Sequence, residues 1–407
     1  MKIYLVGGAV RDELLGIEPK DRDFVVIGST HEEMIALGYE CQGKAFPVYR
    51  KNKEEYALAR KEVKISEGSR GFEFDTSESI SLESDLFRRD LTINAIAQDM
   101  ETGELTDPYN GMEDIKNRVL RHVSGAFSED PLRVLRAARF AARYGVLGFT
   151  VAEETLRVMR DVVESGELET ISKERIWQEI ESALGTQSPH IFFQVLREIG
   201  ALAIIMPEVD ALFGIPQVEE HHPEICTGIH VMMALERSVN ITDCKVARFG
   251  VLVHDLGKAL TEPELLPRHI GHEERGVECV VSLCKRLRVP NEYLEFGKLT
   301  AKHHTKMHGI MDSKAQTIVD LIGYLDGLRR PNRVVGLAAV GYADSVGRLG
   351  FENKSYPQYQ FFIDAYEIMK KAPKDKVNYK SKDVKDQIRT ARIASLLNFC
   401  QPNKRNK

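Results

Sequence analysis

Two acids one residue apart, Asp21 and Asp23, lead into an unbroken apolar run, Phe24-Val-Val-Ile27. On an extended strand alternate side chains share a face, so both carboxylates would point the same way. Neighbouring carboxylates repel unless a cation offsets them. Divalent magnesium suits that position, because it takes hard oxygen ligands and usually shares them with phosphate. The same spacing also fits a solvated strand end, so the residues ahead of it bear on the choice. Ile3-Tyr-Leu-Val6 reads as a short strand and Gly7-Gly8 as a turn. Residues 9–16 read as a helix with apolar positions at 10, 14 and 15. Glycines let backbone N–H groups approach a ligand, and the helix N-terminus behind them favours an anion. Arg11 falls in the first turn of that helix, within reach of the same anion. Together these residues describe a phosphate cradle beside a divalent-metal site.

Two arginine-bearing stretches extend the pattern. Arg88-Arg-Asp-Leu-Thr-Ile-Asn94 places Asp90 and Asn94 four apart on one helical face, with Arg89 beside them. Arg89 can pair with a polyphosphate, and the Asp–Asn pair can hold a sugar hydroxyl; a helix-start charge cluster is the plainer alternative. Glu129-Asp-Pro-Leu-Arg133 opens a helix, with Pro131 in its first turn and Asp130 as N-cap. Arginines at 133, 136, 139 and 143 then form a stripe along one side. A charged stripe is usually a solvated face, yet no acid occurs between 131 and 152 to neutralise this one. Unneutralised arginines suit a polyphosphate or an RNA backbone.

A different chemistry begins at His230. Val251-Leu-Val-His-Asp-Leu-Gly-Lys258 puts His254 and Asp255 side by side in an apolar helix expected to end at Gly257. Buried neighbouring His and Asp need partners, and a metal ion is one. Further histidines fall at 269, 272, 303, 304 and 308, and Asp344 supplies an acid downstream.

The elements that must position these groups are partly legible. Glu54 to Lys61 reads as another strand, and the polar stretch from about 62 to 84 as a mobile loop. Asp107-Pro-Tyr-Asn-Gly111 is a turn signature closing the first part of the chain. From about 145 to 220 apolar residues recur at helical spacing, as in Ile176, Trp177, Ile180 and Leu184. Trp177 reads as packing rather than as a stacking platform. Pro207, Gly214 and Pro216 mark a linker. From Lys370 onward twelve Lys or Arg face three acids, the pattern of a disordered or solvated tail that can also assist RNA binding.

Leu5-Val-Gly-Gly-Ala-Val-Arg-Asp12 with Asp21-x-Asp23 resembles the head of the class II nucleotidyltransferases. Within that class the chain is most similar to the bacterial CCA-adding (tRNA nucleotidyltransferase) family with a C-terminal HD domain, from residue 1 to about 350. The resemblance implies an α+β fold: a nucleotidyltransferase head with a small mixed sheet over 1–140, an all-α neck and body over 141–220, an all-α HD phosphohydrolase domain over 221–350, and the basic tail over 351–407. It implies addition of CCA to tRNA from CTP and ATP, with Mg²⁺ on the catalytic pair Asp21 and Asp23. Gly8, Arg11, Arg89, Asp90, Asn94, Asp130, Arg133, Arg136 and Arg139 would bind nucleotide, and Glu55 is the guess for a third carboxylate. The family's loop near 62–84 helps switch from CTP to ATP. Its Glu-Asp-x-x-Arg motif, here Glu129, Asp130 and Arg133, is implied to act as a protein template. The residue types fit that role, because cytosine and adenine each offer an amino donor beside a ring-nitrogen acceptor. A carboxylate beside a guanidinium matches that edge and opposes uracil and guanine.

His-Asp-x-Gly-Lys with His230 upstream resembles the HD phosphohydrolase pattern. It implies a metal held by His230, His254, Asp255 and Asp344, with His272 and His304 as further candidates and the choice between His303 and His304 open. Histidine-rich ligands admit Ni²⁺ or another transition metal, and the implied activities are 2′,3′-cyclic phosphodiesterase, 2′-nucleotidase and phosphatase. Two alternatives stay open on sequence: a poly(A) polymerase, which shares the head motifs, and an HD phosphohydrolase whose head only binds nucleotide or RNA.

Bulk properties set outer bounds. At 407 residues the chain is too long for one core. Hydrophobic and charged fractions of 43% and 29% are those of a soluble globular protein, and no apolar run approaches a membrane span. No signal peptide is visible, and the six cysteines include no Cys-x-x-Cys pair, which points to reduced thiols in the cytoplasm. A net charge of −5 argues against a wholly basic nucleic-acid binder, so RNA contact must come from local patches. A monomer and a homodimer fit equally.

Overall fold

The computed structural model describes the chain except residues 44–46, 65–71, 76–79, 374–376, 378–380 and 401–407. It divides into two compact units, Met1–Glu179 with Val195–Ile204, and Ile180–Gln194 with Ile205–Lys407.

The first unit is built on strands β1 (Lys2–Val6), β2 (Asp23–Ile27), β3 (Glu40–Gln42), β4 (Val48–Lys51), β5 (Glu54–Leu58), β6 (Lys61–Lys64), β7 (Phe72–Asp75), β8 (Ala97–Asp99) and β9 (Leu105–Thr106). Seven of them form one mixed sheet in the order β3-β4-β5-β2-β1-β8-β9. Its centre is β2, antiparallel to β1 and parallel to β5. Phe24, Val25 and Val26 are all buried, which explains why β2 reads as a continuous apolar run rather than an alternating one. Register then fixes the site: Val6 pairs with Asp23, and Asp23 pairs with Glu55. The first acid-bearing position of β2 thus lies beside the end of β1, where the chain turns through Gly7.

Gly7 has φ +69°, a backbone conformation that favours glycine, and the Arg89 guanidinium lies against it, with Nη1 2.7 Å from where a Cβ would stand. The loop expected over 62–84 is only partly one. Lys61–Lys64 and Phe72–Asp75 pair as an antiparallel ladder, and Leu82–Phe87 is helical. A ladder is held by backbone groups and needs no apolar periodicity, so composition could not reveal it. Residues 65–71 and 76–79 lie outside the described part.

Helices of this unit include α1 (Gly8–Leu14), α2 (His31–Ala36), α3 (Leu82–Phe87), α4 (Gly111–Asn117), α5 (Leu132–Tyr144) and α6 (Glu153–Glu164). On α5 Leu132, Val134, Leu135, Ala137, Ala138, Phe140, Ala141, Ala142 and Tyr144 are buried. Its four arginines are half-buried, so the stripe is not a solvated face.

Beyond α6 come α7 (Lys173–Leu184), α8 (Pro189–Glu198), α9 (Ala201–Ile205), α10 (Pro207–Asp210), α11 (Thr227–Ser238), α12 (Lys245–Val253), α13 (His272–Arg286), α14 (Asn291–His308), α15 (Ala315–Tyr324), α16 (Pro331–Val346), α17 (Pro357–Lys370) and α18 (Val384–Cys400). The second unit contains no strand ladder among its described residues, only helices, turns and an isolated bridge between Pro216 and Cys226. Helix α12 ends at Val253, with His254 as its C-cap, earlier than the Gly257 expected from sequence; Asp255 then begins a 3₁₀ turn over Leu256–Leu260. Gly257 has another use. A Cβ there would lie 2.0 Å from the His272 carbonyl oxygen, so glycine lets the start of α13 close on this turn. Arg248, 1% exposed, donates to the carbonyls of Leu184, Thr186 and Thr242 at 2.9 Å each, satisfying carbonyls at the end of α7. The expected basic tail is helical over Val384–Cys400. Leu396 and Cys400 share a core with α15, α16 and α17, and Arg389 forks onto Asp320 through two 2.8 Å bonds. Charge counting missed the apolar positions 393, 396 and 399 spaced on that helix. No described helix is long and apolar enough to cross a membrane.

Candidate active site and metal centre

A cavity of about 740 Å³ in the first unit is lined by Gly7, Gly8, Asp21 and Asp23 on the sheet side and by arginines of α5 on the other. Eleven of the head residues singled out from sequence line it: Gly8, Arg11, Asp21, Asp23, Arg89, Asp90, Asn94, Asp130, Arg133, Arg136 and Arg139. Nine arginines and five aspartates line the wall, so four positive charges stand in excess and a polyanion is the complementary ligand. Asp23 faces the cavity, yet enough protein surrounds it that desolvation pushes its carboxyl upward; Glu55 and Asp21 push the same way, against the pull of Arg89. A divalent ion would relieve that repulsion, and the donor set is oxygen only, as magnesium prefers. Glu55 has its carboxylate on Arg50 at 2.6 Å while its backbone lies in register with Asp23.

Behind the surface runs a chain of alternating charges. Arg136 donates to Asp90 Oδ2 at 2.8 Å through Nε, with Nη2 2.7 Å away. Asn94 Nδ2 and the Leu91 N–H donate to Asp90 Oδ1 at 2.8 and 2.9 Å. Arg11 donates to Asn94 Oδ1 and, at 2.8 and 2.9 Å, to Asp12 Oδ1. Asp12 also accepts from Arg143 at 3.0 Å and from the Tyr144 hydroxyl at 2.8 Å. Burial alone would raise the Asp90 carboxyl, but Arg136 and Asn94 hold it well below the usual range. Arg11 is therefore not a free first-turn cation: it is 3% exposed and engaged by Asp12 and Asn94. Asp90 and Asn94 likewise bond to each other rather than standing open.

The Asp130–Arg133 pair also faces the cavity with partners in place. Asp130 stands one position ahead of Pro131, the N-cap of α5, rather than at the cap itself; it accepts the Leu132 N–H at 3.1 Å and takes Arg175 at 3.3 Å. Arg133 donates at 2.6 Å to the carbonyls of Ala126 and Arg88. A carboxylate and a guanidinium each have capacity for further bonds beyond these. Such anchoring fixes their orientation. Arg139 is tied to Glu179 at 2.5 Å. Sequence reasoning did not assign Asp12, Arg143, Tyr144, Arg175 or Asp85 to the site. Arg143 stood in the stripe, while Asp12 and Tyr144 meet across 132 residues and gave no local signal.

The second site lies where α11, the end of α12, α13, α14 and α16 converge. Three histidines are oriented identically. The Nδ1 atoms of His254, His272 and His304 contact the carbonyls of Val251, His269 and Thr300 at 2.7, 2.8 and 3.0 Å. With the proton on Nδ1, each Nε2 lone pair is left facing Asp255 at 3.2, 3.5 and 3.4 Å. Ligands around an ion with metal–nitrogen bonds of about 2.1 Å sit about 3.4 Å apart in a tetrahedron. His254 Nε2 and Asp255 Oδ1 are buried with no hydrogen-bond partner, the condition a metal would remedy. Burial lowers His304, favouring the neutral ligating form.

His230, fully buried, has Nε2 at 3.1 Å from Asp344 Oδ1. Asp344 also accepts from His308 at 2.8 Å and Arg348 at 3.3 Å. Overlapping sets of ligand atoms from His230, His254, Asp255, His272, His304 and Asp344 lie within 4.8 Å of one another. His303 turns away, stacked on Tyr324 with ring centroids 5.4 Å apart. Lys258 bridges Asp255 and Gln217 at 2.6 Å each. Sequence reasoning passed over His222 and Glu224, which complete one further ligand set with His230.

Comparison with known proteins finds relatives of both parts of the chain. Residues 3–121 match the poly A polymerase head domain, 148–213 a probable RNA and SrmB-binding site of polymerase A, and 221–328 the HD domain. The chain is 50% identical over 404 residues to the multifunctional CCA protein of Shewanella frigidimarina (strain NCIMB 400), covering 98% of this chain and 97% of that one. A solved CCA-adding enzyme in complex with ATP superposes with a TM-score of 0.65 at 19% identity, covering 97% of this chain and 86% of its own. A tRNA-processing enzyme in apo form I gives 0.60 at 22%, covering 97% and 93%. At such identities these two structures bear on the fold alone.

Proposed function

The chain belongs to the multifunctional CCA protein family, nucleotidyltransferases that carry an HD domain, and from that premise we propose that it adds C, C and A to the 3′ end of tRNA from CTP and ATP, without a nucleic-acid template. The observation that carries the reading is the cavity that sets Asp21 and Asp23 opposite an arginine-rich wall. Asp21 and Asp23 would hold Mg²⁺, and the chemistry that ion would supply is activation of the 3′-hydroxyl and charge neutralisation at the leaving pyrophosphate. Arg89, Arg136 and Arg139 present positive charge to the triphosphate, Arg11 braces the wall from behind through Asp12 and Asn94, and Gly7-Gly8 keep that wall open. Asp130 and Arg133 present acceptor and donor to the pairing edge of cytosine or adenine. The buried chain from Arg136 to Tyr144 keeps α1 and α5 in fixed relation, so nucleotide is positioned by a rigid wall.

In the second unit, His230, His254, Asp255 and Asp344 would hold a transition metal, Ni²⁺ among those a histidine-rich set admits. The chemistry such an ion supplies is a water nucleophile for phosphate ester hydrolysis. We assign 2′,3′-cyclic phosphodiesterase, 2′-nucleotidase and phosphatase activity to it. The setting we infer is cytoplasmic, where thiols stay reduced. The experiment is nucleotide addition to end-labelled tRNA lacking CCA, run alongside hydrolysis of cyclic phosphates across a metal series. A long adenosine ladder in place of CCA would indicate a poly(A) polymerase instead.

A further inference from the structure

Among the four histidines facing the second centre, His230 alone lacks a backbone anchor. The other three meet a main-chain carbonyl through Nδ1. The Nδ1 of His230 instead lies 3.0 Å from Oε1 of Glu224, a carboxylate 2% exposed, while its Nε2 lies 3.1 Å from Asp344. Neither contact of the His230 ring is an aligned hydrogen bond, so the ring is confined between two acids with both nitrogens unsatisfied. Glu224 is itself fixed: Oε1 meets His222 Nδ1 at 3.0 Å and Oε2 accepts the Leu349 N–H at 3.2 Å.

Resting on the reading that His230 is a ligand, we propose that Glu224 is a positioning residue for that metal, acting through His230 rather than binding the ion. An ion on Nε2 withdraws electrons from the ring and makes the Nδ1–H more acidic, and a fixed carboxylate stabilises that polarised ring. Outer carboxylates of this kind orient a histidine ligand and raise its basicity. Direct ligation by Glu224 is disfavoured because its oxygens already face His222, His230 and the Leu349 N–H. A carbonyl anchor supplies a dipole where Glu224 supplies a full charge, so the Nδ1 side of His230 faces a stronger negative field than that of the other three.

The test uses full-length metal-free protein titrated with Co²⁺, following its visible d–d absorption, with competition by Ni²⁺. Glu224→Gln keeps the size of the side chain and removes its charge; Glu224→Ala removes both. Both variants are expected to bind Co²⁺ about tenfold to a hundredfold more weakly. The d–d band positions should match wild type, and the melting temperature of metal-free Glu224→Gln should be unchanged. Unaltered affinity in Glu224→Gln would overturn the proposal. So would a band shift like that of His230→Ala, which would make Glu224 a ligand. Failure of the wild type to bind Co²⁺ at all would instead overturn the underlying metal reading, so the two failures are distinct.

Discussion

Asp23 carries a conflict that function needs and stability does not. Its carboxyl is raised by desolvation and by Glu55 and Asp21. A carboxyl raised on folding holds its proton better in the folded state, so the fold loses stability as pH rises above the unfolded carboxylate range near 4. Asp23→Asn should therefore raise the melting temperature of magnesium-free protein at pH 7, with the gain shrinking toward pH 4. The same change should lower nucleotide addition by about a thousandfold or more, because several kcal/mol of charge stabilisation is lost. Thermal melts with and without Mg²⁺ decide this, and a lower melting temperature at pH 7 would count against it. Base choice is the other residue-scale property. Asp130→Ala or Arg133→Ala should relax discrimination against UTP and GTP by about fivefold to a hundredfold, the worth of one bidentate base contact. Uniform weakening of all four nucleotides would show that the pair does not read the base. Asp21 and Asp23 both line the cavity, as their proximity in sequence suggests, although β2 begins only at Asp23 and Asp21 precedes the strand. The engagement of Arg11 by Asp12 and Asn94 was not legible, since Asn94 lies 83 residues away.

At the scale of elements, sheet register and helix entry place the side chains. The short strand, the turn at Gly7 and the second strand were visible in sequence, whereas the register Val6↔Asp23 that joins them was not. The ladder between β6 and β7 was invisible because its bonds are backbone bonds. The helix α18 was hidden by its many cations, although its apolar spacing was present. Gly257 makes a sharper case. Sequence suggested a helix terminus there, whereas the structure requires the missing Cβ so that the His272 carbonyl can approach. Gly257→Ala forces the 3₁₀ turn and α13 apart and should destabilise the second unit by about 1–3 kcal/mol, the cost of overpacking. It should also weaken Co²⁺ binding, because His272 moves away from Asp255. Denaturant melts and Co²⁺ titration on one preparation would check both, and wild-type values for each would refute the packing argument.

For the molecule as a whole, each set of site residues belongs to one compact unit: Gly7 to Arg175 in the first, Gln217 to Asp344 in the second. The two chemistries should then be separable. His254→Ala is expected to abolish metal-dependent hydrolysis while CCA addition stays within about twofold of wild type. Loss of both activities in a folded protein would contradict independence. The central claim concerns the first cavity, and one measurement addresses it directly: end-labelled tRNA lacking CCA, incubated with CTP, with ATP and with both, and resolved at single-nucleotide length. We expect two added residues with CTP alone, three with both nucleotides, termination at that length, and no extension by Asp21→Ala or Asp23→Ala. Extension that runs past three residues, or near-normal addition by either aspartate variant, would contradict the account.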